Sequence, residues 1–177
     1  MNAVEIIKKY YDERSDLYTI LLTHSTAVAE KSIEILNMHP EWNVDKEFIW
    51  ESALLHDVGI FMTNAPKIQC FGEYPYICHG YLGAELLRKE GYPNHALISE
   101  RHTGSGLRKE DVKDMPVPYK DMLPESLEEK LICFADKFFS KSKLEKVKTV
   151  DKIRKSLSKY GEDSVNRYDE MLKLFLG

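Results

Sequence analysis

Four histidines and two aspartates stand in or beside apolar helical segments that would bury them. They are His24, His56, Asp57, His79, His102 and Asp136. Imidazole and carboxylate together suit first-row divalent ions such as iron, manganese, cobalt, nickel or zinc, whereas calcium prefers oxygen ligands. The set therefore predicts a metal site whose ligands come from at least four helices.

Asp136 lies within LICFADKFF, which is so apolar that its helix must be largely buried. An unpaired buried carboxylate costs several kcal/mol, so Asp136 needs a metal ion, a cation or strong hydrogen-bond donors. An ion pair with an arginine or lysine would satisfy this need as well as a metal would.

His56 and Asp57 close the apolar segment FIWESALLHDVGI, and His56 follows Ile49 and Ala53 at helical spacing. Adjacent helical residues project about 100° apart. The two side chains can therefore converge on one site only at the end of the helix, next to Gly59.

His24 shares a helical stripe with Leu17, Leu21, Val28 and Ile35, where a lone histidine is more often a core residue than a ligand. In this chain, however, five other candidate ligands accompany His24, so we count it among the predicted ligands.

His79 directly precedes the segment GYLGAELLRKE, and His102 ends ALISERH just before Gly104. Six ligands exceed what one ion with an open position requires. Two ions that share a bridging carboxylate fit this number, and such a pair can hold a bridging hydroxide as nucleophile and clamp a phosphoryl oxygen.

Helical spacing of apolar residues predicts an all-α, single-domain chain, with no alternating run that indicates a strand. The predicted helices are 3–13, 16–38, 45–58, 80–90, 94–102, 126–142 and 162–175, with a weaker one at 147–158. Two long irregular stretches remain, at 61–78 and 105–124. Loops of this length in a compact domain are often lids or walls of a site.

Composition excludes several classes of protein. The net charge of −4 argues against binding a nucleic-acid polymer, and the lysine-rich stretch 137–155 is interpreted as a solvated helix face. No apolar run is long enough to cross a membrane, and the N-terminus is typical of an amphipathic helix, so we expect a cytoplasmic protein. The sequence allows a homodimer, although no exposed apolar stripe predicts one.

The remaining cysteines and histidines carry simpler expectations. Cys70, Cys78 and Cys133 lack CxxC spacing and are expected to be reduced thiols. His39 and His95 have no motif around them and are expected at the surface.

The ordered series of His24, then His56 and Asp57 within LLHDVG, then Asp136 within ICFADKF, resembles the HD-domain superfamily of metal-dependent phosphohydrolases. The resemblance spans about residues 20–140, and the helices at about 147–175 are expected to pack on this core. It implies hydrolysis of a phosphate ester or anhydride, with a nucleotide or another small phosphorylated molecule as substrate.

Two further histidines extend the resemblance to the dinuclear subgroup of that superfamily. They are His79 in CHGYLGAELL and His102 in ERHTGSG. The subgroup implies a first metal on His24, His56, Asp57 and Asp136 and a second on His79 and His102, with Asp57 bridging. Iron and manganese are the favoured ions, whereas the absent GYP signature argues against a cyclic dinucleotide as substrate.

One departure from the family pattern concerns the substrate. Many relatives have lysine three residues after the motif aspartate, where this chain has Ile60. Lys67, Arg101, Arg108 and Lys137 are candidate replacements. Arg101 and Lys137 adjoin predicted ligands, so they join His56 and Asp57 as candidate catalytic residues.

Two other functions are compatible with the same ligand set. Some HD-domain proteins with a similar ligand set use a di-iron centre to activate oxygen, so the chain could be an oxygenase. It could also be a regulator that has this fold and binds a nucleotide without catalysis. Oxygen consumption without phosphate release would distinguish the first, and tight nucleotide binding without turnover would distinguish the second.

Overall fold

The structure is a computed structural model that describes residues 2–177, and helices make up most of its regular secondary structure. The α-helices are α1 (Ala3–Lys8), α2 (Asp16–Met38), α3 (Lys46–Leu55), α4 (His79–Lys89), α5 (Pro93–Arg101), α6 (Leu127–Asp136), α7 (Val150–Leu157) and α8 (Glu162–Leu176). Short 3₁₀ turns lie at Ile60–Met62, Pro66–Ile68, Tyr76–Cys78, Lys109–Val112 and Ser158–Tyr160. The predicted all-α class is confirmed.

Across residues 2–177, no helix has the length and apolar character needed to cross a bilayer.

Local sequence explains where several helices begin. Asn2, Ser15, Asp45, Ser126 and Thr149 each accept a hydrogen bond from a backbone N–H of the first turn of the helix that follows. Such caps satisfy donors that have no partner inside the helix. Three of these caps fix the start of the helices that contain His24 and Asp136 and of the helix that His56 directly follows.

Two predicted helices are longer than the observed ones. The first ends at Lys8 rather than near residue 13, because the chain turns to bring Tyr11 into the core, where its hydroxyl donates to Val58 O at 2.7 Å. The sixth ends at Asp136 rather than 142. The chain then folds back, so that Lys148 N donates to Phe138 O at 2.8 Å.

A small hairpin, β1 (Asn64–Ala65) with β2 (Cys70–Phe71), was not predicted. Strands of two residues are too short to show alternation in the sequence. Gln69 makes the turn with a φ of 63°, in the left-handed region.

The core has two large apolar clusters that both draw on α2 and α3, and a third, smaller cluster contains Leu107, Val112 and Met122. One surrounds Phe134, Tyr168 and Phe175, and it also takes in Ile153 and Leu157 of α7. The other contains Ile7, Leu21, Leu55 and Leu87. Leu21 and Val28 belong to different clusters, and His24 lies between them in α2. The polar centre described below therefore lies at the boundary of the two clusters.

Helices α4 and α5 approach each other closely at Gly80. The Ser99 hydroxyl lies 2.8 Å from His56 O and 3.1 Å from Gly80 O, which ties α3, α4 and α5 together. A Cβ atom on Gly80 would lie 2.6 Å from Ser99 O, a distance that real Cβ atoms do not adopt. This contact sets the spacing of the helices that carry His79 and His102.

We expect Gly80→Ala to lower the free energy of unfolding by about 1–3 kcal/mol, because the added methyl group must push α4 away from α5. Urea unfolding measures the change. Lys89→Ala, on the exposed face of the same helix, is the control and should shift stability by less than about 0.5 kcal/mol. Equal stability of the two variants would contradict the close contact.

Candidate metal centre

The six predicted ligands come together in the interior, and each is at most 8% exposed. Helix ends position most of them. His56 and His102 directly follow α3 and α5, His79 is the first residue of α4, and Asp136 is the last residue of α6. Asp57 follows His56 where the chain leaves α3, as expected for neighbours that must face one site.

One group of ligand atoms forms around the Oδ2 atom of Asp57. His24 Nε2 lies 3.2 Å from this oxygen, and His56 Nε2 lies 3.0 Å from it. Asp136 Oδ1 completes the group, at 2.8 Å from His24 Nε2 and 3.4 Å from His56 Nε2. These four residues can together hold a metal ion.

A second group forms around the other carboxylate oxygen of the same aspartate. Asp57 Oδ1 lies 3.2 Å from His79 Nε2 and 3.3 Å from His102 Nε2. These three residues can also hold a metal ion. Each oxygen of Asp57 thus faces its own group, which is the arrangement of a carboxylate that bridges two cations.

Three of the histidines are oriented in the same way. Each places its Nδ1 atom against the backbone carbonyl three residues earlier and turns Nε2 to the centre. The distances are 2.6 Å from His56 to Ala53 O, 2.6 Å from His79 to Tyr76 O and 2.7 Å from His102 to Ser99 O. A carbonyl only accepts, so Nδ1 carries the proton and Nε2 is left as the ligand atom.

The contact between His79 and His102 follows from this tautomer. Their Nε2 atoms lie only 3.0 Å apart. In two neutral rings with Nδ1 protonated, both Nε2 atoms are acceptors, so the contact is repulsive. A cation between the rings, whether a metal ion or an added proton, removes the repulsion.

Several buried polar atoms of the centre also lack hydrogen-bond partners. Both carboxylate oxygens of Asp57 and the Nε2 atom of His56 are buried without a hydrogen bond of acceptable geometry. Ligands at about 2.0–2.2 Å from a metal lie about 2.8–3.6 Å from each other in octahedral or tetrahedral geometry. The separations of 2.8–3.4 Å in the first group and 3.2–3.3 Å between Asp57 and the histidines of the second match this range. The residues fit a divalent metal.

The charged groups of the centre change one another's pKa values. Burial raises the pKa of Asp57, but His56 and Lys141 outweigh burial and hold it well below its ordinary value. Burial lowers the pKa of His56, but Asp57 and Asp136 raise it to about 9. Burial lowers the pKa of His102 to about 3, so this ring stays neutral.

Lys141 is the residue of the centre that sequence reasoning missed. Its Nζ lies 2.6 Å from Asp57 Oδ2 and 5.7 Å from the centre of the Tyr76 ring, and its side chain is only 11% exposed. The stretch 137–155 was interpreted as a solvated helix face, which is wrong for Lys141. The one available signal was its place two residues after the apolar FADKFF segment.

Lys137 lies at the centre as well. Its Nζ is 2.5 Å from Asp136 Oδ2 and donates to His102 O at 3.1 Å. It therefore links ligand residues of both groups. Lys67, another candidate cation, lines the cavity beside the centre.

The structure does not bring the two candidate arginines to the centre. Arg101 pairs with Glu129 at 2.9 Å and Glu125 at 3.1 Å, and Arg108 pairs with Asp163. Arg101 is next to a ligand in sequence, but neighbouring helical residues point in different directions. Neither arginine lines the cavity.

The centre opens into a cavity of about 530 Å³. His79, His102 and Asp136 form one part of its lining. The cationic part consists of Lys67, Lys137, Lys141, Lys148 and Lys159. Among residues 2–177, Asp136 is the one acidic side chain in this lining, so the cavity suits an anion.

Other predictions about the surroundings have mixed outcomes. The irregular stretch 61–78 supplies part of the cavity wall, whereas the stretch 105–124 does not. His95 is not a surface residue, because its side chain is 11% exposed and packs on Phe48. His39 is half-buried and stacks on Trp42. The three cysteines are free and buried, as expected.

Comparison with known proteins agrees with this site. The family model of the HD domain matches residues 21–140. An uncharacterized protein of Methanocaldococcus jannaschii is 34% identical over 161 residues, which cover 89% of this chain and 85% of that protein. The chain belongs to the HD domain family, whose members are generally metal-dependent hydrolases.

Two longer relatives are named tRNA (cytidine(56)-2'-O)-methyltransferase. The one from Picrophilus torridus is 27% identical over 183 aligned positions, covering 98% of this chain and 47% of its own length. The one from Thermoplasma volcanium is 28% identical over 159 positions, covering 89% and 43%. The chain thus spans less than half of either protein. No solved structure gives a significant match.

Metal binding should release a proton near neutral pH. The raised pKa of His56, about 9, means that its Nε2 carries a proton at pH 7, and this proton must leave before the ring can bind metal. We expect the apparent affinity for Mn²⁺ to rise by about tenfold per pH unit between about pH 6.5 and about pH 8.5. Calorimetry in buffers of different ionisation enthalpy measures the released protons. An affinity independent of pH would contradict this charge state.

Proposed function

We propose that the protein is a phosphohydrolase that uses two divalent transition-metal ions, iron or manganese, to hydrolyse a small phosphorylated molecule, with nucleotides as the leading class. The observation that carries the proposal is a buried cluster of four histidines and two aspartates that opens into a cavity lined by lysines. A metal centre and an anion-binding cavity in direct contact are what phosphoryl transfer to water requires.

The choice of metals rests on the donor atoms. Four imidazoles and two carboxylates favour iron or manganese over calcium, and the two oxygens of Asp57 face separate groups of ligands. When bound, two such ions act as Lewis acids toward a phosphoryl oxygen and lower the pKa of water toward neutrality.

Hydrogen bonds within the chain hold the ligand side chains in position. The backbone bonds from Nδ1 fix three of the imidazole rings before any metal arrives. Lys137 holds Asp136 and the carbonyl of His102 in place. Positions fixed in advance cost no reorganisation during the reaction.

Lys141 takes the role of the lysine that is absent at Ile60. Its ammonium group contacts Asp57 Oδ2, the oxygen assigned to the first ion, and it lines the cavity. If that oxygen held a metal ion, the ammonium group of Lys141 would be free to face the cavity and neutralise a phosphoryl oxygen. Such a charge-assisted contact would hold the reacting phosphate against the metal centre.

The cavity also limits the size of the substrate. A volume of about 530 Å³ lies in the range of small-molecule sites, and Tyr76, Phe139 and Tyr160 supply aromatic surface for a base or sugar. The net charge of −4 favours a small molecule over a polymer. Because two relatives are named as tRNA methyltransferases, short RNAs with a terminal phosphate belong in the substrate panel.

Asp57→Asn should abolish phosphate release from every substrate that the protein hydrolyses, because the neutral amide cannot bridge two cations. The assay measures phosphate from nucleotides, sugar phosphates and short 5'-phosphorylated RNAs, with Fe²⁺ or Mn²⁺ and without oxygen. Asp114→Asn, at an exposed position, is the matched control and should keep full activity.

Three results would overturn the proposal. Full activity of Asp57→Asn would remove the metal centre from the reaction. Oxygen consumption by the iron-loaded protein without phosphate release would indicate an oxygenase. Tight nucleotide binding without turnover would indicate a regulator.

Lys141→Met should reduce kcat/KM by about 10-fold to 100-fold, as expected for loss of one charge-assisted contact. The metal content should stay the same, because Lys141 is not a ligand. Lys143→Met removes an exposed lysine from the same segment and should have no effect. If the two variants behave alike, Lys141 does not contact the substrate.

A further inference from the structure

Besides Lys137 and Lys141, three further lysines line the cavity beside the metal centre. We propose that Lys148, with Lys67 and Lys159, forms a second phosphate subsite, so that the preferred substrate carries two or more linked phosphate groups. The inference rests on the proposed function only for the phosphate that reacts. The second subsite binds a phosphate that is not attacked.

Ion pairing separates the lysines of the cavity into two sets. Lys137 and Lys141 are each paired with a carboxylate of the metal centre. Across residues 2–177, the structure gives no ion pair to Lys67, Lys148 or Lys159, although all three line the cavity. Three cations that line one cavity without an acidic partner provide a site for an anion with more than one charge.

Repulsion between the lysines affects Lys148 most clearly, because this residue is half-buried among like charges. Burial lowers its pKa. Asp136 opposes this shift, whereas Lys137, Lys141 and Lys159 add to it. A bound phosphate group would offset the repulsion, and linked phosphates would span both sets of lysines.

The backbone fixes the position of Lys148. Lys148 N donates to Phe138 O at 2.8 Å, and the next residue, Thr149, caps α7. Helix α7 is anchored in the core through Ile153 and Leu157. The subsite is therefore attached to the same rigid structure as the metal centre.

Most of the lysines that line the cavity lie in one segment of the chain, which indicates a role for that segment in substrate selection. The family model ends at residue 140, so Lys141, Lys148 and Lys159 all lie beyond the part that the chain shares with the HD domain. The shared part supplies the metal ligands, and the segment that follows supplies most of the cations of the cavity. We expect differences in substrate to depend on that segment.

The test compares one phosphonate group with two in the metal-loaded protein. Methylphosphonate and methylenediphosphonate are not hydrolysed, and excess Mn²⁺ keeps the probes from removing metal. Calorimetry should show that Lys148→Met weakens binding of methylenediphosphonate about tenfold and leaves binding of methylphosphonate unchanged. Lys146→Met, an exposed neighbour outside the cavity, is the control and should change neither.

Kinetics supply the second readout. Lys148→Met should raise KM for a nucleoside triphosphate about tenfold, with little change in kcat or in the turnover of a nucleoside monophosphate. Equal weakening of both phosphonates, or of neither, would overturn the subsite. So would a wild-type protein that binds one phosphonate group as tightly as two.

The two proposals fail in different ways. If methylenediphosphonate binds through Lys148 and no phosphorylated compound is hydrolysed, the subsite stands and the phosphohydrolase proposal falls. If only monophosphates are hydrolysed and Lys148→Met has no effect, the phosphohydrolase proposal stands and the subsite falls.

Discussion

The structure depends on one buried carboxylate, that of Asp57, which has no exposed surface and presents its two oxygens to two different sets of imidazoles. A carboxylate in this setting is costly unless cations compensate it. The surrounding chain supplies compensation through Lys141 and His56, and the ligand geometry supplies places for metal ions. The helices are arranged to bring these groups to a single point between two apolar clusters.

Helix ends solve two problems with the same hydrogen bonds. The last carbonyl groups of a helix have no partner within it. His56 and His102, which directly follow α3 and α5, satisfy such carbonyls through Nδ1 and in the same step direct Nε2 to the centre. The bond that ends the helix is thus also the bond that orients the ligand.

Much of this arrangement could be predicted from sequence, because buried polar residues in apolar helices are conspicuous. The all-α class and the HD domain family are confirmed, and the predicted ligands lie together. Lys141 and Lys148 could not be found in this way, because their positions depend on where α6 ends and how the chain folds back. Arg101 shows the converse, since adjacency in sequence to a ligand did not place its side chain at the centre, and it pairs instead with Glu129.

The number and positions of bound metal ions test the central claim most directly. The measurement is the metal content of protein purified without oxygen, followed by anomalous diffraction from its crystals. We expect about two ions per chain, one held by the group of His24, His56, Asp57 and Asp136 and the other by the group of Asp57, His79 and His102. A single ion, or none after reconstitution, would contradict a centre built around a bridging Asp57.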